Sequence, residues 1–352
     1  MTSILIVRLS AIGDIVMASP LIAALRQAYP EARIAWLVQA ESAELLTQNP
    51  ALDEVIVWPR SQWRSLWRAR RWGRAVREMW RFVRVLRAHR FEVVIDVQGL
   101  LKSGVWAWLC GARRRIGLGS REGSQWLMTE VIAKPEDDPR IGSEYRHVLA
   151  QLHIDPGRFL MDVALSPEDV AFQRSVVAEH GLAQGYVVVC PFTTRPQKHW
   201  LEAAWSDLIG RINGELGLSV VMLGGPGDRE AAQRLTALAP QQRLVDMTGR
   251  TRLRQAAALI DGASLLVGVD TGLSHMGIAF NTPSILLFGS TCPYLNTGRD
   301  NTVVLYNALT CSPCRRNPTC GGAFTCMAEI TTDDVIDAAR RLQVGRVACD
   351  GG

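Results

Sequence analysis

Short apolar runs, each followed by a turn and a helix-like stretch, recur along this 352-residue chain. Runs that are too short for a helix and apolar throughout are typical of parallel strands buried between helices. Their alternation with helical patterns predicts an α/β fold with two doubly wound, Rossmann-like domains. The runs lie at residues 4–7, 34–38, 55–57 and 92–97 in the first half, and at 186–190, 218–223, 265–269 and 284–288 in the second.

Between residues 153 and 184 this pattern loosens, and prolines and glycines interrupt it. We therefore predict a first domain at 1–165, a second at 166–330, and a C-terminal helix and tail at 331–352. Parallel sheets bind ligands beyond the carboxyl ends of their strands. The expected ligand site is accordingly a cleft across which the two domains face one another.

Positive charge is concentrated in one segment of the chain. Residues 60–90 contain 11 Arg and one Glu, a net charge of +10, whereas the whole chain carries +5, which leaves −5 for the remainder. Such a segment indicates an anionic partner. Because no stretch reaches the roughly 20 apolar residues of a membrane span, we expect a cytoplasmic protein.

Four tryptophans, at positions 63, 67, 72 and 80, lie among these arginines. Three interpretations remain open: a solvated helix with a core-facing stripe, a nucleic-acid surface, or a surface that contacts an anionic membrane. The helical spacing of Val76, Met79, Trp80, Val83 and Leu86 predicts that this stripe faces the core. Residues 60–71 are the expected ligand-contacting part.

Asp14 follows the first predicted strand and opens a helix expected to run to about Tyr29. A carboxylate at that place could act as a general base on an acceptor hydroxyl. It could equally be an ordinary first-turn acid that stabilises the positive end of the helix.

Two loops of the second half have the composition of phosphate-binding loops. Asp270, Thr271 and Gly272 join a strand to a helix, whose N-terminal N–H groups suit a pyrophosphate, and His275 follows one turn later. The loop at 191–200 contains Thr193, Thr194 and Lys198, and the lysine suits a diphosphate oxygen. The chain shows neither G-x-G-x-x-G nor a complete Walker loop at the corresponding turns, which disfavours dehydrogenases and P-loop enzymes.

Four of the eight cysteines are crowded into one segment. Their number and close spacing suit a tetrahedral zinc or iron site, which would be structural because four sulfur ligands leave no open position. Reduced, buried thiols without a metal are the alternative. The four residues are Cys311, Cys314, Cys320 and Cys326.

Taken together, these segments resemble glycosyltransferase family 9, the ADP-heptose:lipopolysaccharide heptosyltransferases. The resemblance rests on residues 6–14 (IVRLSAIGD), 95–103 (IDVQGLLKS), the loop Thr193-Thr194-Arg195 to Lys198-His199-Trp200, and Asp270 to His275. The segments at 95–103 and 193–200 are most similar to the heptosyltransferase I branch, which adds the first heptose to Kdo on lipid A.

This resemblance implies a GT-B fold and an inverting transfer that requires no metal for catalysis. Asp14 would deprotonate the Kdo hydroxyl, and ADP-heptose would be the donor. The lipid-linked Kdo acceptor would place the protein at the cytoplasmic face of the inner membrane, which fits the basic segment better than nucleic acid does. The implied donor-binding residues are Thr193, Thr194, Lys198, Asp228, Glu230, Asp270, Thr271, Gly272 and His275, and the implied acceptor-binding residues are Arg60, Arg64 and Arg121.

The four-cysteine segment departs from that branch and leaves other acceptors open, either a second inner-core heptose or a protein. A sugar-nucleotide epimerase of similar architecture is a second enzyme class. A basic RNA- or membrane-binding module without catalysis is a third possibility.

Overall fold

The computed structural model describes residues 2–136, 138–240, 242–291, 293–314, 317–342 and 344. The chain divides into two compact units. Unit 1 comprises Met1–Asp138 and Gly142–Ala164, and unit 2 comprises Pro139–Ile141 and Leu165–Gly352.

Unit 1 is built on a six-stranded parallel sheet in the order β3-β2-β1-β4-β5-β6. Its strands are β1 (Ser3–Val7), β2 (Arg33–Gln39), β3 (Glu54–Trp58), β4 (Val93–Asp96), β5 (Arg114–Leu118) and β6 (Glu130–Ile132). Its helices are α1 (Ile12–Ala18), α2 (Pro20–Ala28), α3 (Ala40–Ala43), α4 (Arg60–Arg68), α5 (Trp72–Ala88), α6 (Leu101–Leu109) and α7 (Ser143–Gln151).

Unit 2 repeats this arrangement, with the parallel strand order β12-β11-β10-β7-β8-β9. Its strands are β7 (Tyr186–Cys190), β8 (Ser219–Met222), β9 (Leu244–Asp246), β10 (Leu265–Val269), β11 (Ser284–Phe288) and β12 (Thr302–Tyr306). Its helices are α8 (Pro167–Glu179), α9 (Glu202–Arg211), α10 (Arg229–Leu238), α11 (Leu253–Asp261), α12 (Gly272–Phe280), α13 (Thr325–Ala328) and α14 (Thr332–Arg341). The two sheets confirm the predicted α/β class.

The central strands are apolar because both faces of each sheet are covered. Residues 4–7 of β1 are buried, as are all five residues of β7, β10 and β11. Val, Ile and Leu at such positions contribute most of the burial that holds a doubly wound sheet to its helices.

The first helix is interrupted, whereas the sequence predicted one helix to about Tyr29. Pro20 has no N–H to continue the hydrogen-bond ladder, so α1 ends at Ala18 and Pro20 opens α2. At the other end of the chain, α14 begins after the N-cap Thr331. Its buried face, which includes Val335 and Ile336, belongs to the core of unit 2.

The prediction of a core-facing stripe on α5 is wrong in part. Val83 and Leu86 are buried, but Val76 is 43% exposed and Trp80 is 63% exposed. The buried arc of α5 is narrower than the apolar spacing suggests, because the core cluster that contains Trp63 of α4 includes Val83 and Leu86 but neither Val76 nor Trp80.

Each sheet reverses its strand order at one place, between β1 and β4 in unit 1 and between β7 and β10 in unit 2. The helices that follow the two strands at such a place diverge to opposite faces, which leaves a crevice beyond the strand ends. We call these two places the switch points.

Within the described part of the chain, no helix combines the length and the apolarity needed to cross a membrane.

Candidate functional site

Asp270 is the centre of a polar cluster at the switch point of unit 2. It directly follows β10, and its Oδ2 lies 2.5 Å from Nζ of Lys198, which follows β7. Oδ1 lies 3.4 Å from Nε2 of His275 on the first turn of α12. The hydroxyl of Thr291 donates to Oδ2 at 2.8 Å, and the hydroxyl of Tyr294 lies 2.5 Å from Nδ1 of His275.

This cluster holds Asp270 as a carboxylate. Burial acts to raise its pKa, but the hydrogen bond and charge of His275 and the charge of Lys198 outweigh burial and bring the pKa well below its usual range. Only 15% of the Asp270 side chain and 18% of the Lys198 side chain are exposed. A fixed carboxylate can accept from sugar hydroxyls, while an ammonium with three N–H groups can also donate to a phosphate oxygen.

The threonines and the glycine of the predicted donor loops lie in two different settings. Thr193 is half-buried, and its hydroxyl donates to the carbonyl oxygen of Asp270 at 3.4 Å, whereas Thr194 is exposed. Thr271 is the N-cap of α12 and Gly272 is its first residue. The first N–H groups of α12 point along its axis towards the strand ends, where an anion is favoured.

Asp228 and Glu230 follow β8, one strand farther from the switch point. The Asp228 carboxylate accepts the N–H of Gly225 at 2.7 Å and so closes its own turn. The Glu230 side chain is 91% exposed on α10. The structure therefore does not join these two residues to the Asp270 cluster.

Asp14 lies at the switch point of unit 1, in the first turn of α1. Its carboxylate accepts the N–H of Ala11 at 3.1 Å and forms an ion pair with Arg8. It thus performs the helix-stabilising role of a first-turn acid. Its side chain nevertheless remains 35% exposed.

Arg8 is a buried cation that fixes this carboxylate. It donates to the carbonyl oxygen of Val97 at 2.7 Å and lies over the ring of Tyr145, 5.9 Å from its centroid. Burial acts to lower the Arg8 pKa, but Tyr145 and the carboxylates of Asp14 and Glu144 outweigh it and raise the pKa.

Lys102 is a second cation, and it lies near Ser10 in the turn between β1 and α1. Its Nζ lies 3.5 Å from the hydroxyl of Ser10, as does Nε2 of Gln98. Burial, and then the charges of Arg60 and Arg8, lower the Lys102 pKa. The switch point of unit 1 therefore gathers several cations around one carboxylate, which suits an anionic acceptor.

The three predicted acceptor arginines are exposed. Arg60 and Arg64 are four residues apart on α4 and so share one face of that helix. The Arg60 guanidinium lies over the ring of Trp58, 5.8 Å from its centroid. Arg121 follows β5, and its backbone N–H donates to the carbonyl oxygen of Gly99 at 3.0 Å. Gly99 has a φ of +66°, and a Cβ there would lie 2.3 Å from the carbonyl oxygen of Leu118.

The cysteine segment lies at the edge of unit 2's core. Cys326 is buried on α13, whereas Cys311, Cys314 and Cys320 are half-buried. The other three cysteines lie close enough to Cys326 to affect it, since burial and then Cys314, Cys311 and Cys320 raise the Cys326 pKa. Among the residues that the structure describes, however, no three His, Cys, Asp or Glu side chains are arranged to hold a metal ion.

The family model described as Glycosyltransferase family 9 (heptosyltransferase) matches residues 79–322, well over half of the chain. The chain belongs to this family. It is therefore a glycosyltransferase.

Relatives of this family 9 enzyme extend the match to nearly the whole chain. Lipopolysaccharide heptosyltransferase 1 of Salmonella typhimurium is 31% identical over 304 residues, which cover 84% of this chain and 90% of that protein. Lipopolysaccharide heptosyltransferase 1 of Pseudomonas aeruginosa is 31% identical over 340 residues, covering 94% and 89%. The structure of E. coli heptosyltransferase WaaC with ADP-2-deoxy-2-fluoro heptose superposes with a TM-score of 0.71 at 24% identity, covering 97% of this chain and 99% of that one. That superposition confirms the predicted GT-B fold.

Five residues that lie around Asp14 and Asp270 in this family 9 enzyme were not predicted from the sequence as site residues. Arg8, Lys102 and Gln98 lie in segments that carried the family resemblance, which was the available signal. Thr291 and Tyr294 follow β11 in a loop without a recognisable motif, and only the fold brings Thr291 to Asp270 and Tyr294 to His275.

Proposed function

We propose that this enzyme transfers heptose from ADP-heptose to the Kdo of a lipid-linked lipopolysaccharide inner-core acceptor, at the cytoplasmic face of the inner membrane. The observation that carries the proposal is the Lys198–Asp270–His275 cluster at the switch point of unit 2, which suits a sugar diphosphate. Two kinds of relatives support it: those named lipopolysaccharide heptosyltransferase 1, and WaaC, which was solved with an ADP-heptose analogue.

On the donor side, Lys198 and the N–H groups at the start of α12 bind the diphosphate, with the hydroxyls of Thr193 and Thr194 nearby. Asp270 accepts hydrogen bonds from heptose hydroxyls, and His275 holds it in position. Asp228 and Glu230 would serve the ribose, a role that their distance along the sheet from the Asp270 cluster does not favour.

On the acceptor side, Asp14 takes the proton of a Kdo hydroxyl as that oxygen attacks C1 of the heptose. The bond between C1 and the diphosphate oxygen breaks, and ADP leaves with its electron pair. One displacement from the opposite face inverts the configuration at C1. Arg60, Arg64 and Arg121 bind the anionic groups of the acceptor, and Arg8 keeps the Asp14 carboxylate oriented.

Transfer in this proposal requires no metal ion, because Lys198 and the α12 N-terminus supply the positive charge that the leaving diphosphate needs. Activity that persists in excess EDTA is the expected result. Activity that is lost in EDTA and restored by Mg²⁺ would contradict it.

To test this function, the purified enzyme is incubated with ADP-heptose and Kdo2-lipid A, and both ADP release and product mass are measured. Asp14→Asn should lower kcat by roughly 10²–10⁴-fold, the usual contribution of a general base. Glu41→Gln is the matched control, since Glu41 is an exposed first-turn acid of α3 after the neighbouring strand β2, and it should retain activity.

Transfer to another glycan or to a protein, but not to Kdo2-lipid A, would reject Kdo as the acceptor and leave ADP-heptose as the donor. ADP-heptose consumption without an acceptor product would favour an epimerase. No turnover of any nucleotide sugar would reject the enzymatic proposal.

A structural zinc or iron at the four cysteines stays a prediction of the sequence, since the described side chains are not arranged as a metal site. Elemental analysis of the purified wild type against Cys314→Ser tests it. About one equivalent of metal in the wild type and a clear loss in the variant are expected, whereas equal and negligible metal in both would reject it.

A further inference from the structure

One face of α5 is apolar and exposed. Trp72, Val76 and Trp80 are spaced four residues apart, so they line one side of the helix, and we call them the tryptophan stripe. Their side chains are 57%, 43% and 63% exposed. Large indoles arranged in a row at a surface are unusual unless a partner covers them.

Exposed arginines surround the tryptophan stripe in the sequence. All 11 arginines between residues 60 and 90 are exposed, and none of them forms an ion pair with a described residue. Arg77 and Arg84 stand three residues before and four residues after Trp80, which makes them its neighbours on the helix surface. The single acid of this segment, Glu78, is half-buried.

We propose that the tryptophan stripe and its flanking arginines dock unit 1 onto an anionic lipid bilayer. Indoles favour the boundary between headgroups and acyl chains, and exposed arginines pair with lipid phosphates. This inference deepens the proposed membrane location of the enzyme, but it does not depend on which sugar or acceptor the enzyme uses.

The charge and shape of this face disfavour other occupants. A second copy of the chain would bring two sets of exposed arginines together, and repulsion between their like charges opposes this. A single-stranded nucleic acid would satisfy the arginines, but Val76 between the two indoles offers no ring on which a base can stack. A bilayer accepts both the aliphatic and the aromatic side chains.

The experiment measures cosedimentation of the full-length protein with vesicles of phosphatidylcholine, with or without phosphatidylglycerol. Binding should require the anionic lipid and should fall with added salt. The double variant Trp72→Ser/Trp80→Ser should weaken binding on the order of tenfold. Each of Arg77→Ser and Arg84→Ser should weaken it roughly fivefold.

Trp126→Ser is the matched control, because Trp126 is the more exposed indole at 84% but lies outside α5. It should bind vesicles like the wild type. The proposal would be overturned if vesicle binding of the wild type did not increase with phosphatidylglycerol. It would also be overturned if Trp126→Ser weakened vesicle binding as strongly as the double variant does. Binding of a single-stranded RNA probe that is lost in the stripe variants, without vesicle binding, would assign the face to nucleic acid instead.

Two further measurements separate this proposal from folding and from catalysis. Thermal unfolding should be unchanged in the stripe variants, since the replaced side chains are exposed. Transfer to a Kdo acceptor without lipid should also be unchanged. If no variant, wild type included, transfers heptose, then the proposed function fails while vesicle binding still reports on the stripe.

Discussion

Asp96 is a fully buried carboxylate at the end of β4. It accepts the N–H groups of Gln98 at 3.0 Å and Gly99 at 3.2 Å. Its Oδ2 lies 2.9 Å from the hydroxyl of Ser103, which is also 2.8 Å from the carbonyl oxygen of Leu100. Because a hydroxyl has one hydrogen, a protonated Asp96 that donates to Ser103 satisfies the group better than a carboxylate does. Burial raises the Asp96 pKa to about 6, against the opposing hydrogen bonds and Arg8.

Asp96 should therefore make stability depend on pH. Its pKa is higher in the folded than in the unfolded chain, so its contribution is fully present below about pH 4 and is lost as the pH rises through about 6. Asp96→Asn imitates the protonated form and removes this titration. Between pH 4 and pH 7 the wild type should lose on the order of 2–3 kcal/mol of unfolding free energy relative to the variant.

Urea unfolding of both proteins at several pH values measures this difference. Parallel curves of stability against pH would show that Asp96 does not titrate in this range. Asp155→Asn, at an exposed loop acid that accepts the N–H of Gly157, is the matched control and should leave the pH dependence unchanged.

At the scale of elements, α8 depends on its N-cap. Ser166 and Asp169 form a reciprocal capping box, in which the Asp169 N–H donates to Oγ of Ser166 at 3.3 Å and the Ser166 N–H donates to the Asp169 carboxylate at 3.1 Å. Both residues are buried, and Arg254 pairs with Asp169 at 3.0 Å.

Ser166→Ala should lower the unfolding free energy by about 1–2 kcal/mol, because it removes the cap and also the hydroxyl that donates to the buried Asp169 carboxylate at 2.6 Å. Ser175→Ala, on an exposed position of the same helix, should change stability by less than about 0.5 kcal/mol. Chemical denaturation distinguishes the two. Equal effects would show that the cap does not anchor α8.

The sequence predicted the central strands because their apolar runs are continuous, as in β7 and β10. It missed β5, β6, β9 and β12, of which β6, β9 and β12 are at or near the sheet edges. There one face is less covered, so the burial that marks a strand is weak: all three residues of β9 are only half-buried. The sequence pattern also predicted a single helix to about Tyr29, where the structure has two helices separated at Pro20.

The site residues that could be predicted are those that directly follow a predictable strand. Asp14, Lys198 and Asp270 each follow a strand that the sequence already marks, and a strand end places them at a ligand-binding edge. Thr291 and Tyr294 reach Asp270 and His275 only through the strand order of unit 2, with β11 beside β10. That order follows from tertiary packing and has no local signal.

At the scale of the whole molecule, the proposed donor-binding residues belong to unit 2 and the proposed acceptor-binding residues to unit 1. ADP should therefore protect the segments after β7 and β10 from hydrogen exchange more strongly than any segment of unit 1. Lys198→Gln should weaken ADP binding by roughly 10–100-fold, the loss expected for a charged hydrogen bond. Lys134→Gln, whose ion-pair partner is Glu144 in unit 1, is the matched control.

Calorimetric titration of ADP measures both variants. Unaltered affinity in Lys198→Gln, or strongest exchange protection after β1 in unit 1, would contradict the division of roles between the units.

The three residues Pro139–Ile141 belong to unit 2 although unit 1 resumes after them. Ile141 donates its N–H to the carbonyl oxygen of Asn296 at 2.8 Å, and Asn296 donates to that of Pro139 at 3.1 Å. A chimaera that exchanges unit 1 between two such enzymes by one cut near residue 165 would therefore separate this segment from its own partner. The exchange would have to retain the native 139–141 tripeptide, or replace the loop around Asn296 along with it.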